Sequence, residues 1–331
     1  MKDRVTGEGR PGRDEPPEGS RAFGPFSSVR EGDHCGCMGR IVVGVDGSEH
    51  ARQALRWAQR EAQIHGHQLT ALLAWGLFDQ LHVRGEPSFD PDYGPADART
   101  ALAAVMEDTL GAEAAAGVRQ VAVCDLPARA LLDAARDADL LVVGPRERGG
   151  LQELVLGSVS QSCLHHAPCP VAVVHTRGTA RSAPSPGQRI LAGIDGSETS
   201  ARALVWALDE ARARGATVEA VHAWHVPYSL SLAAAAVDFP AFEDAARHLL
   251  DGMVDAVAAE ASGVPVEPVL VSGFAADVLL GAAENADLVV VGSRGVGGFR
   301  GLLLGSVSHQ VAHHAPCPVV VVPAEDRTVR K

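Results

Sequence analysis

The chain has 331 residues, with 29 lysines and arginines against 41 aspartates and glutamates, a formal net charge of −12, 46% hydrophobic and 21% charged residues. That acidity excludes a broad nucleic-acid or anionic-membrane footprint, which needs clustered basic surface, and the apolar fraction excludes a disordered chain. The length exceeds what one hydrophobic core usually organises, so two domains are expected. No apolar run reaches membrane-spanning length and no signal-peptide core is visible, so a cytoplasmic protein is expected. The only lysines are Lys2 and Lys331, so a phosphate-loop lysine is not available to the folded body.

Residues 1–38 are rich in Gly, Pro, Arg and Glu without periodicity and read as a disordered tail. Met38 stands directly before GRIVVGVDGS and is a candidate natural start. Within the tail, His34, Cys35 and Cys37 form an incomplete set of metal ligands. Six cysteines at 35, 37, 124, 163, 169 and 317 repeat no CxxC spacing, which points to reduced thiols, not a disulfide framework or zinc ribbon.

From residue 39 onward the chain repeats itself. RIVVGVDGSEHARQALRWAQREA (40–62) returns as RILAGIDGSETSARALVWALDEA (189–211), ADLLVVGPRERGGLQELVLGSVSQ (138–161) as ADLVVVGSRGVGGFRGLLLGSVSH (286–309), and HHAPCPVAVV at 165 as HHAPCPVVVV at 313. An offset held at 148 or 149 residues marks a domain duplication. The expected domains are 39–176 and 189–323, joined by the Pro/Ser/Gly-rich linker 177–188 and followed by a tail, 324–331. In the second copy, strands are expected at 189–194, 217–223, 266–271, 287–291 and 318–322, and helices near 199–214, 241–262, 274–285 and 306–314. Continuous apolar runs such as LVVV suit strands covered on both faces, so each copy is expected to be a doubly wound α/β domain with a parallel five-stranded sheet. The VAVV and VVVV edges of strand five would otherwise be exposed, so the copies are expected to pack as an intrachain pseudo-dimer, and homo-oligomerisation is compatible with the sequence.

Ligands of such sheets sit beyond the carboxyl ends of the strands, where strand order reverses. After strand four of the second copy comes Gly292-Ser293-Arg294-Gly295, then nine residues to Gly305-Ser306, with Gly297 and Gly298 between. Glycines allow close approach and positive φ, so neighbouring amides can form an anion nest. Gly305-Ser306 opens a helix, whose free N–H groups favour an anion. After strand one, Asp195 in GIDGS is placed to accept from ribose hydroxyls or assist a metal, or only to shape a turn and helix cap.

On these motifs the segment 39–323 resembles the universal stress protein family in its tandem form. The family's nucleotide signature, G-x2-G-x9-G-[ST], is complete as Gly292, Gly295, Gly305 and Ser306. The resemblance implies an ATP or related adenine-nucleotide site, with magnesium or manganese as the accompanying metal. It assigns Asp195 to the ribose side, the backbone near Ala223 and Val291 to the adenine, and Val307 to the phosphates, includes Gly193 among the site residues, and makes Arg294 a candidate for neutralising phosphate charge. The first copy keeps Asp46, Gly144, Gly157 and Ser158, which define a weaker second site. There Glu147 replaces the second glycine, setting a negative charge toward any triphosphate, and Pro145 removes one backbone donor.

Other polar residues read more plainly. His165, His166 and Cys169, mirrored by His313, His314 and Cys317, belong to a strand entry. His222 reads as a core or rim histidine rather than a catalytic base, Trp75 and Trp224 pack near the adenine or close the sheet, and Arg300 neutralises phosphate or is a solvated loop arginine. No nucleophile–base arrangement can be read from spacing, so efficient phosphoryl transfer is not supported. The resulting expectation is an ATP-binding regulatory protein of stress, dormancy or growth control that binds mainly in the second domain. Alternatives are a slow metal-dependent ATPase, a scaffold with both sites vestigial, and a flavodoxin-like FMN module, the last disfavoured because the glycine loop follows strand four.

Overall fold

A computed structural model describes residues 38–76, 80–81, 90–145, 156–175, 187–225, 239–257, 263–296 and 303–324. The expected tail up to Cys37, the linker up to residue 186, Glu147, Gly297, Gly298 and Arg300 lie outside the described residues. No helix among the described residues is long and apolar enough to cross a membrane.

The first half runs β1 (Arg40–Gly44), α1 (Glu49–His65), β2 (Gln68–Trp75), α2 (Pro95–Leu110), α3 (Ala112–Ala116), β3 (Arg119–Cys124), α4 (Pro127–Ala134), β4 (Leu140–Val143), α5 (Ser158–His166) and β5 (Val171–Val173). The second runs β6 (Arg189–Ile194), α6 (Glu198–Arg214), β7 (Thr217–Trp224), α7 (Phe239–Ala256), β8 (Val266–Ser272), α8 (Ala275–Ala283), β9 (Leu288–Gly292), α9 (Ser306–His314) and β10 (Val319–Val322). Local chemistry sets the helix limits. Ser48 and Ser197 cap α1 and α6 by accepting from Ala51 and Ser200 amides, each at 3.1 Å. Gly66 and Gly215 stop the same helices with φ of 65° and 66°, a left-handed turn that glycine makes without a Cβ clash.

The strands form one sheet in the order β3-β2-β1-β4-β5-β10-β9-β6-β7-β8. Within each half every pairing is parallel, and strand order reverses between β1 and β4 and again between β6 and β9. The strand-five edges expected to bring the copies together meet as one antiparallel pair, with Val319, Val320 and Val321 opposite Val173, Ala172 and Val171, which joins the two parallel five-stranded sheets into one of ten strands. The physical reason is the apolar strand-five edge, whose main-chain groups have no other partner strand in a lone copy. All of β5, β9 and β10 is buried, and the shared core joins Leu141, Val143, Val171 and Val173 to Val289, Val319 and Val321.

One helix differs from the sequence-based expectation. α7 starts at Phe239 and ends at Ala256, short of residue 262; the Val257 amide donates to the Val254 carbonyl, an i→i+3 bond that tightens the last turn. Residues 258–262 lie outside the described residues.

His175 follows β5 and is fully buried, its Nε2 3.0 Å from the Ala312 carbonyl of α9, so it ties the first half to the second. Burial lowers its pKa to about 4, and the fold therefore holds the neutral ring with Nε2 as donor. An unfolded histidine titrates near 6.5, so the unfolded chain takes up this proton first as pH falls. The contribution is complete above that value and declines toward pH 4, by on the order of 3 kcal/mol. Urea unfolding at several pH values is expected to show a steeper acid loss in the wild type than in His175→Gln.

Candidate functional site

Two cavities open at the carboxyl edge of the sheet, one at each reversal of strand order. The second-half cavity has a volume of 450 Å³, and its walls include Gly193, Asp195, Ala223, Val291, Gly292, Arg294, Gly295, Gly305, Ser306 and Val307. The ten second-copy residues that the family resemblance places at the nucleotide thus reach one concavity. Parallel pairing of β6 with β9 does this, because Ala192 is in register with Val290 and the two strands deliver Asp195 and Arg294 side by side.

The cavity has two chemically distinct ends. One is an apolar slot between Val221, Leu279, Val291 and Leu304, all buried, with Ala223 beside it. The other is the start of α9, where Gly305 takes the N-cap position with extended geometry and no side chain to cap the first turn. Ser306, Val307 and Ser308 of that first turn line the cavity, and no side chain caps the turn at this positive end of the helix dipole.

The loop after β9 is tied to the loop after β6. Asp195 accepts from the Ser197 amide through Oδ1 at 3.0 Å and from the Val296 amide through Oδ2 at 3.0 Å. Thr199 Oγ1 donates to the Arg294 carbonyl at 2.8 Å, and Ser308 Oγ donates to the Gly292 carbonyl at 2.5 Å. The Ser293 amide donates to Val322, and the Gly305 amide to the Ser293 carbonyl. Of the loop amides expected to form an anion nest, that of Ser293 is thus already engaged, as are those of Val296 and Gly305.

Two of the signature glycines, Gly292 and Gly295, are constrained by contacts rather than by backbone twist. Gly292, Gly295 and Gly305 do not have positive φ; the glycine that does in this site is Gly196, at 82° in the turn after β6. A Cβ on Gly292 would lie 2.8 Å from the Thr199 carbonyl carbon, and one on Gly295 would lie 2.1 Å from Asp195 Oδ2. Contact with α6 and Asp195, not backbone twist, therefore excludes side chains. Thr199, Ser200, Leu279 and Ser308 were not picked out by sequence reasoning. Ser308 had a readable signal, since Gly305-Ser-Val-Ser repeats Gly157-Ser-Val-Ser, and Ser160 Oγ likewise donates to the Gly144 carbonyl at 2.7 Å.

In the first half a cavity of 480 Å³ is lined by Asp46, Gly144, Pro145, Gly157 and Ser158, with Gln80 and Leu81 at its edge. The first-copy candidates therefore also share one concavity. His222 Nδ1 lies 2.7 Å from the Ile194 carbonyl, the partner expected of a rim histidine. Trp75 packs edge-on against Tyr93 with centroids 5.5 Å apart. Cys169 and Cys317 are buried, which pushes both thiols up to about 12 and leaves them inert.

The universal stress protein family model matches this chain twice, over residues 38–175 and 187–323. The chain belongs to the universal stress protein family. A universal stress protein of Mycolicibacterium smegmatis is 35% identical over 293 residues, covering 85% of this chain and 96% of that protein. One from Mycobacterium tuberculosis is 36% identical over 291 residues, covering 85% and 95%. The crystal structure of a universal stress protein from Archaeoglobus fulgidus shares the fold, with a TM-score of 0.59 at 21% identity, covering 86% of this chain and 98% of that one.

The contact argument separates two glycines of this universal stress protein. Gly292→Ala forces a methyl group into the Thr199 main chain and is expected to lower stability by about 1–3 kcal/mol. At Gly305 the nearest atom to an added Cβ lies 3.6 Å away, so Gly305→Ala is expected to fold with nearly wild-type stability. Chemical denaturation of the two variants beside the wild type measures the difference.

Proposed function

We propose that this chain is an ATP-binding regulatory protein that takes one nucleotide per chain, in the cavity between β6 and β9. The observation that carries the reading is the pairing, within 450 Å³, of an apolar slot with a helix start whose first turn lines the cavity without a side-chain cap. The slot between Val221, Leu279 and Val291 suits the adenine, and the main chain near Ala223 and Val291 offers edge contacts to it. Asp195 and Gly193 lie on the ribose side. The amides of Ser306 and Val307 receive the phosphates, with Arg294 as the nearby cation. Helix amides and a dipole hold an anion without an ammonium group, which fits a body whose sequence places lysine only at its two ends.

The same residues define the expected chemistry. Asp195 is the carboxylate lining this cavity, and both its oxygens already accept main-chain hydrogen bonds. Magnesium or manganese would therefore arrive on the phosphates, with Asp195 as the protein group nearest to assist it. No lining residue combines with a neighbour into a nucleophile and base, so binding rather than turnover is the proposed activity. Occupancy changes the loop that follows Gly292 and so reports nucleotide level to a partner in stress, dormancy or growth control. The protein acts in the cytoplasm.

The first half is proposed to be weak, because Pro145 lines its cavity without a backbone donor and Glu147 stands where the second half has Gly295. Calorimetric titration with ATP and magnesium is expected to give one site per chain, abolished by Gly295→Glu. Two equivalent sites, or binding that survives Gly295→Glu, contradicts the proposal. Metal-dependent turnover lost in Asp195→Ala would mark an ATPase instead, and an absence of any binding would mark a scaffold. In the reverse direction, Glu147→Gly is expected to strengthen nucleotide binding in the first half, read as added stoichiometry in the same titration.

A further inference from the structure

Far from both cavities, α1 and α6 meet across the joint between the repeats. Glu61 and Glu210 occupy equivalent positions of the two copies, offset by 149 residues, and so do His65 and Arg214. The duplication therefore brings one glutamate from each half to the same place, and it sets a histidine on one side where the other has an arginine. Both glutamates are 2% exposed. Arg214, itself buried, bridges them, pairing through Nη2 with Glu61 Oε1 and through Nε with Glu210 Oε1. The remaining oxygens turn toward the imidazole: His65 Nε2 is 2.9 Å from Glu210 Oε2 and 4.0 Å from Glu61 Oε2.

We propose that Glu61, His65 and Glu210 form an interdomain site for a divalent transition cation such as zinc, which clamps the first repeat to the second. One donor atom from each of the three lies within 4.8 Å of the others, the one group of this kind among the described residues. Zinc takes imidazole nitrogen and carboxylate oxygen at about 2.0–2.2 Å, so a contraction of less than about 1 Å per ligand brings these three onto one ion. Glu61 and His65 are four residues apart on α1 and so project from one face of the helix. Arg214 holds the opposite carboxylate oxygens and fixes both ligands, as outer partners of metal ligands commonly do. His65 is 24% exposed, which gives an ion a path from solvent. Arg214 compensates the outer oxygens of the two buried carboxylates, and on the inner side the imidazole meets Glu210 closely and Glu61 only at 4.0 Å. A divalent ion there supplies positive charge together with directional bonds.

Zinc titration of the metal-stripped, nucleotide-free full chain tests the assignment, in a Cys35→Ser/Cys37→Ser background that removes the thiols of the tail. The expected result is one zinc per chain by calorimetry and elemental analysis, with a rise in melting temperature. That equivalent is lost in Glu61→Gln and in His65→Gln, and cobalt substitution shows no thiolate charge-transfer band. Should Glu61→Gln fail to fold, His65→Gln, with its partly exposed ring, decides alone. A closed ion-pair network without metal predicts no zinc bound in the cysteine-free-tail background, or zinc binding unchanged by both substitutions. Either result overturns the proposal.

Discussion

The site depends on the side-by-side parallel pairing of β6 and β9, which are far apart in sequence and adjacent in the sheet. Because both strands end on the same edge, the turn after one and the loop after the other emerge within hydrogen-bonding distance. Asp195 then reaches the Val296 amide, and Thr199 reaches the Arg294 carbonyl. These bonds fix where the loop leaves the sheet, and so where α9 begins. A helix start held at that point needs no basic side chain to attract an anion, because its own N–H groups and dipole supply the field. In the proposed nucleotide site, strand order would do what a lysine does in other phosphate-binding loops.

The same logic explains why the edge can be so intolerant of side chains while the strands beneath are ordinary. Gly292 lies against the main chain of Thr199 and Gly295 against the Asp195 carboxylate. In the first half the corresponding Gly144 approaches the His50 main chain, where a Cβ would stand 3.0 Å from its carbonyl. The close contact between the end of strand four and the first turn of the helix that follows strand one thus belongs to both repeats. What separates them in sequence is the next part of the loop, Pro145 and Glu147 in place of Ser293 and Gly295. The duplication has kept the scaffold in duplicate and altered the loop in one copy.

Much of this was legible in the sequence. The repeat offset fixed the number of halves, the apolar runs identified parallel strands, and the spacing from Gly292 to Ser306 located the edge on which the cavity opens. Asp195, Gly292, Arg294, Gly295, Gly305 and Ser306, chosen from the loops after strands one and four, line one concavity because topology, not side-chain detail, brings those loops together. What was not legible depends on contacts between segments far apart in the chain. The glycines were expected to supply positive φ, whereas the structure uses them for proximity, a distinction visible only once Thr199 and Asp195 are in place. The antiparallel pairing of β5 with β10 needed partner edges whose register no single-copy pattern specifies. Glu61 and Glu210 read as unremarkable polar positions on amphipathic helices, and only the meeting of α1 with α6 shows them to be buried together.

The central claim is that main-chain amides at the start of α9 hold the phosphates. Amide-resolved NMR of the isotope-labelled chain, recorded with and without ATP and magnesium, addresses those groups individually. The account predicts that the largest shift changes fall on Ser306, Val307 and Ser308, with smaller ones along Gly292–Val296 and little at Ser158–Ser160. Changes centred on the first half, or confined to side chains while the α9 amides stay in place, would contradict it.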